Sequence, residues 1–227
     1  MKSEYEIKET AKAIISFTDS YAQNMERKQN EQQDSESISS PTDMVSTLRF
    51  LYGQIWNNNT SKFVIQIPKL LQSLVALSRF KVGIHIREEI DLLRLKVRHQ
   101  SRQCLDRIQQ NGDEQIQADL VNIGYGRVMS ITYSTAGGIS EEQDKDIFNG
   151  LMCISRFLRE LHEGRNDRQT SFQPLPLLAR ITVEQIEKEG ANEELEAQMK
   201  NNGCYGSVQG YANEAKAATL NCFIHNN

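Results

Sequence analysis

Four histidines and four cysteines are the side chains from which a metal centre or a nucleophilic site would be built. The histidines, His85, His99, His162 and His225, are scattered along the chain, and no pair has the His-x-x-x-His spacing that puts two imidazoles on one helix face. Cys104, Cys153, Cys204 and Cys222 are far apart and form no Cys-x-x-Cys pair. They are expected to be small core side chains rather than ligands or a disulfide framework. A thiol nucleophile at Cys153 would need a histidine base, and no local signature supplies one. Gly124-Tyr-Gly126 lacks the third glycine and the preceding strand of a dinucleotide-binding turn. Gly137-Gly138 lacks the Gly-Lys-Ser/Thr end of a phosphate-binding loop. The paired carboxylates Glu141/Glu142 and Glu193/Glu194 fall at expected helix N-termini, where they complement the dipole. The expectation is a chain with no catalytic centre, no metal and no cofactor.

The strongest concentration of one charge is basic. Residues 90–110 carry Arg94, Lys96, Arg98, Arg102 and Arg107 with His99 on a helical stretch. A solvated helix face is the first reading of that pattern; an anion- or nucleic-acid-binding face is the second. Few aromatic residues lie among these charges, so base stacking is not indicated. The formal net charge of −4 also disfavours a dedicated nucleic-acid binder.

The elements that must position these residues are helical. Residues 1–26 read as an amphipathic helix with Ile7, Ala11, Ile14/Ile15 and Thr18 on one side. Residues 27–41, RKQNEQQDSESISSP after Glu26, are too poor in apolar side chains to offset their ordering entropy and are expected to be a disordered linker. Thr42-Asp43 opens a helix with Val45, Leu48, Leu51, Tyr52 and Ile55 at helical spacing, which ends at Asn57-Asn58-Asn59-Thr60. Residues 63–80 read as another helix, with Pro68 in its first turn. Val82, Ile84 and Ile86 give the one strand-like alternation, short enough to be a loop. Asp113 suits an N-cap. Ser140-Glu-Glu-Gln143 and Thr182-Val-Glu-Gln185 have the letters of capping boxes. Between those two, Ile147, Leu151, Ile154, Leu158 and Leu161 form one apolar stripe on a long helix. Residues 164–190 read as an inserted loop and a short helix starting near Thr182.

Two anchors recur. The corner Ala118-Asp-Leu-Val-Asn-Ile-Gly124 matches Ala197-Gln-Met-Lys-Asn-Asn-Gly203 at the alanine, the large aliphatic, the asparagine and the glycine. A leucine with a small residue before it and an apolar one three after it occurs as Cys104-Leu105 with Ile108, Gly150-Leu151 with Ile154, and Thr219-Leu220 with Phe223. The small residue lets a neighbouring helix come close. This layout resembles armadillo repeats, whose helical units of about 40–47 residues stack into a solenoid, with HEAT repeats fitting nearly as well. The resemblance implies an all-α, right-handed armadillo/HEAT-like solenoid over residues 42–227, with units near 42–110, 111–163 and 191–227. An unrelated helical bundle is the alternative.

The resemblance implies a concave face lined by third helices, which here carry Gln103, Arg107 and Gln110, then Asn149, Cys153 and Arg156. Relatives that bind extended peptides place Trp two residues before the anchor leucine and Asn two after it. This chain has Gln103 and Arg107, Asn149 and Cys153, and Ala218 and Cys222 there. The implied function is a non-catalytic scaffold for a protein or peptide, acidic near Arg107. Two alternatives stay open: anionic-surface or nucleic-acid binding through residues 94–107, and a regulatory segment of a larger signalling protein. No apolar run approaches the length of a membrane span, and MKSEYEIKET lacks the apolar core of a signal peptide. The expected compartment is the cytosol or nucleus. End-to-end self-association through an uncovered apolar end near Phe223 is a further expectation.

Overall fold

The stripe expected on the long central helix is buried along its whole length. In the computed structural model, which describes residues 2–28, 41–56, 63–80, 88–133, 144–166, 170–201 and 207–224, Ile147, Leu151, Ile154, Leu158 and Leu161 are all within 4% of full burial. The same reasoning applies throughout, because the fold is helical. The helices are α1 (Lys2–Lys28), α2 (Pro41–Trp56), α3 (Leu70–Ser78), α4 (Glu88–Asn111) and α5 (Glu114–Asn122). They continue with α6 (Tyr125–Ser130), α7 (Asp144–Glu163), α8 (Pro176–Lys188), α9 (Ala191–Gln198) and α10 (Ser207–Ile224). Among the described residues there is no strand, only an isolated antiparallel bridge between Arg165 and Phe172. No helix among them is long and apolar enough to cross a membrane. The chain divides into two units, Met1–Ile108 and Gln109–Asn227, and the division falls inside α4.

In the first unit α1 packs on α2 and α3. Its buried side chains are Ile7, Ala11, Ile14, Phe17 and Thr18. Phe17 and Tyr21 lie 5.7 and 5.0 Å from the ring of Phe80, and the Thr18 hydroxyl sits 2.9 Å from that of Ser73 on α3. Helix α2 buries Met44, Val45, Leu48, Leu51 and Ile55. The expected place of Pro68 needs correcting. It lies in a turn before α3, because Lys69 adopts a left-handed backbone (φ 64°) and the helix starts only at Leu70.

The solvated basic face on residues 90–110 also needs correcting. Arg94, Arg98 and Arg102 are 3%, 3% and 6% exposed. Arg98 donates to the carbonyl of Phe80 (3.3 Å) and Arg102 to that of Ser78 (3.1 Å). Arg94 pairs with Asp91 at 3.1 Å. The last carbonyls of a helix have no partner within it and carry the negative end of its dipole. Two of these arginines therefore close the end of α3, and their charge is used inside the fold.

In the second unit α8 touches every other helix from α5 to α10. The Asp113 carboxylate accepts from the Ile116 amide at 3.2 Å, the cap expected from the sequence. Gly124 turns the chain between α5 and α6 with φ 80°, a conformation that a side chain disfavours. Thr182 is not a cap. It lies in the second turn of a helix that begins at Pro176, fully buried, with its hydroxyl donating to the Leu178 carbonyl (2.8 Å). Its methyl group meets α6 at Gly126, where an added Cβ would come within 2.7 Å. At Gly150 an added Cβ would collide with the Thr132 hydroxyl, so the small residue before the Leu151 anchor does admit a close neighbour.

The third leucine anchor departs from the pattern. Leu105 and Leu151 are fully buried, but Leu220 is 51% exposed. The buried register of α10 runs through Val208, Ala212, Ala215 and Thr219, which leaves Leu220 one residue past the stripe. Phe223, the Gly203 corner, the Ser140 box and the alternation at residues 82–86 lie outside the residues whose side chains are described.

Candidate functional site

Helix α4 reaches α2 through the first small-residue anchor. The Cys104 thiol donates to the Leu48 carbonyl at 3.5 Å, and burial pushes that thiol up from its ordinary pKa, so it stays protonated and inert. One turn further along both helices, Arg107 of α4 meets Tyr52 and Trp56 of α2. Its guanidinium carbon lies 3.5 Å from the centroid of the Trp56 ring and 5.9 Å from that of Tyr52. The two rings are 6.0 Å apart, tilted at 58°. Trp56, the one tryptophan of the chain, is 58% exposed. A cation over an indole is worth about 0.5–1 kcal/mol at an exposed position. The contact thus holds Arg107 in place without burying it. Stacking uses the face of the guanidinium and hydrogen bonding uses its edge, so one does not exclude the other.

Gln103 stands one turn before Arg107 on the same face of α4, half-buried, with its carbonyl accepting from Gln100 at 3.0 Å. Gln103 and Arg107 are therefore neighbours on one face of α4. Trp56 was not among the residues singled out from the sequence. A lone tryptophan at the last position of a helix, just before the Asn-Asn-Asn run of the sequence, was the available signal.

In the second unit two of the remaining expected residues, Gln110 and Arg156, join a network around Arg165, which is 2% exposed. Its Nη1 donates to the carbonyls of Gln109 (3.2 Å) and Gln110 (2.9 Å) and to Glu160 (3.3 Å). Nη2 reaches the Gly112 carbonyl and the Thr170 hydroxyl, and Nε the Thr170 carbonyl at 2.9 Å. Its guanidinium also lies over the Phe172 ring, 4.7 Å from the centroid. Fully buried Gln109 donates to Glu160 at 2.7 Å, and Gln117 donates to the carbonyls of Gln109 and Gly112. Arg156 reaches the Gln109 side-chain carbonyl at 3.5 Å. The network closes the C-terminal end of α4 as the arginines of the first unit close α3. Gln110 and Arg156 thus have partners within the fold. Asn149 is half-buried, and Cys153 is 5% exposed with its thiol inside. The chemistry of this cluster is structural: each guanidinium nitrogen of Arg165 has an acceptor, and the single carboxylate has cationic and amide donors.

Comparison with protein-family models, with curated proteins and with solved structures finds no match to the chain.

Proposed function

We propose that this chain is a non-catalytic scaffold that binds an acidic protein or peptide on the surface formed by Arg107, Trp56, Tyr52 and Gln103. One observation carries the reading: a guanidinium held 3.5 Å over a tryptophan ring that is itself more than half exposed. An aromatic platform beside an arginine is the composition from which binding hot spots are made. The burial of Arg94, Arg98 and Arg102 supports this reading over a nucleic-acid face on residues 94–107, since it leaves the exposed Lys96 and the half-buried Arg107 as the cations of that stretch that reach the surface, while α4 also exposes Glu88 and Glu89.

We read the architecture as an armadillo/HEAT-like, right-handed stack acting in the cytosol or nucleus. Its support is the order helix, glycine corner, helix, long helix in α5, α6 and α7, with the leucine anchor of α7 fully buried.

Because Trp56 is the single tryptophan, intrinsic fluorescence reports on this surface alone. Poly-glutamate should change the emission saturably and poly-lysine should not, and Arg107→Ala should remove the response. An unchanged emission with poly-glutamate, or an equal response to both polymers, would rule the reading out.

A further inference from the structure

On helix α2 the residues Thr42, Ser46, Arg49, Gly53 and Trp56 fall on one line and all are exposed, with the exposed Asp43 and Phe50 beside it. The one charged member of that line is Arg49. Its glycine is the unexplained member. Gly53 lies inside the helix with an ordinary negative φ, and an added Cβ would meet no atom within 4 Å. Neither the backbone nor the packing of this chain calls for glycine there, although glycine in a helix interior costs about 0.5–1 kcal/mol relative to alanine. Glycine on a helix face lets another backbone approach closely. Seven residues separate Arg49 from Trp56, which places them on the same side of the helix about 10 Å apart. Arg107 over the Trp56 ring then supplies a second cation at the far end.

We propose that the occupant of this stripe is an acidic α-helix, with two carboxylates seven residues apart, lying along α2 with its backbone closest at Gly53. The proposal rests on the acidic-ligand reading above and adds conformation and register to it. Carboxylates at i and i+7 of a helix share one face at about the 10 Å that separates Arg49 from Trp56, whose ring carries Arg107. One carboxylate would meet Arg49 and the other Arg107, with the Trp56 ring packing against the ligand at the Arg107 end. A comparable open glycine on α10, Gly210, has the exposed Leu220 on its helix and the Tyr211–Phe148 ring pair beside it, but no arginine on that helix to define a partner's charge.

The test uses two helical peptides of about 20 residues in an alanine/glutamine background, a length at which isolated helices form. They have equal composition, one with glutamates at i and i+7, the other at i and i+5. Both are titrated into the full chain, following Trp56 emission and the anisotropy of a label on the peptide. The i,i+7 peptide should bind about tenfold more tightly, a difference of about 1.4 kcal/mol. Arg49→Ala should erase that preference, and Gly53→Leu should abolish binding while leaving the thermal melt in place. If both peptides bind equally and Arg49→Ala changes nothing, the helical register is wrong while the acidic-ligand reading survives. If poly-glutamate also fails to alter Trp56, both fall together. A Trp56 signal that changes on dilution of the protein alone, and no longer does in Arg49→Glu, would make the occupant a second copy of this chain and overturn the proposal.

Discussion

Arg165 shows how much of this fold depends on single buried cations. Its three nitrogens share six acceptors, four of them backbone carbonyls. Arg165→Ala should lower stability by about 3–5 kcal/mol, the usual effect of removing one partner of a buried charge network. Chemical denaturation would measure it, and a loss below 1 kcal/mol would mean that water replaces the guanidinium without difficulty. None of this was legible in the sequence, where residues 164–175 read as loop. Hydrogen bonds to carbonyls more than 50 positions away leave no local pattern. The Asp113 cap was legible because its partner, Ile116, is three residues on. Arg98 and Arg102 were misread for the same reason as Arg165: their acceptors, Phe80 and Ser78, lie 18 and 24 residues earlier in the sequence. Of the ligand surface, Gln103 and Arg107 could be chosen from spacing alone. Trp56 could not, because its role comes from the crossing of two helices.

At the scale of elements, apolar periodicity was a sound guide wherever the side chains were large. The stripes of α1, α2 and α7 are buried at the expected positions apart from Ile15 and Tyr52, which are half-buried. In α10 the buried positions are mostly alanine, so the periodic signal was weak and the leucine misplaced the register. Leu105→Ala and Leu151→Ala should each cost about 2–5 kcal/mol, whereas exposed Leu220→Ala should stay within about 0.5 kcal/mol. Equal losses at all three positions in thermal melts would restore the third anchor. The letters of a capping box misled at Thr182 because Ser and Thr also fit a helix interior when the hydroxyl bonds back to the preceding turn. Between α9 and α10, Lys216 donates to Glu196 at 2.9 Å. That hydrogen bond, with the lysine charge behind it, holds the exposed Glu196 below its ordinary carboxylate pKa. A depressed folded-state pKa contributes stability that is present above the unfolded value and is lost as pH falls through the folded value. An NMR titration should find Glu196 below the ordinary range and Lys216→Met should return it there. An unshifted Glu196 in the intact chain would show that the pair does not persist in solution.

At the scale of the whole molecule, composition foresaw a helical chain with modest apolar content, but it could not foresee which charges remain outside. The net charge is −4, and three arginines of the basic stretch are turned inward. The chain should therefore pass through a heparin column at about 0.15 M salt, where the screening length is about 8 Å. Retention there, relieved by Lys96→Glu, would revive the anionic-surface reading. The Arg165 network has a last consequence that concerns time rather than energy. The carbonyl of Gly112, which Gln117 can reach early, gains its guanidinium donor only 53 residues later. At a synthesis rate of about 5–20 residues per second, that interval is roughly 3–10 s. During it the end of α4 emerges from the ribosome with Gln109, Gln110 and Gly112 already made and their cation still untranslated. Slowing translation between codons 112 and 165 should lengthen the exposure of this segment to proteases, whereas slowing it after codon 172 should not.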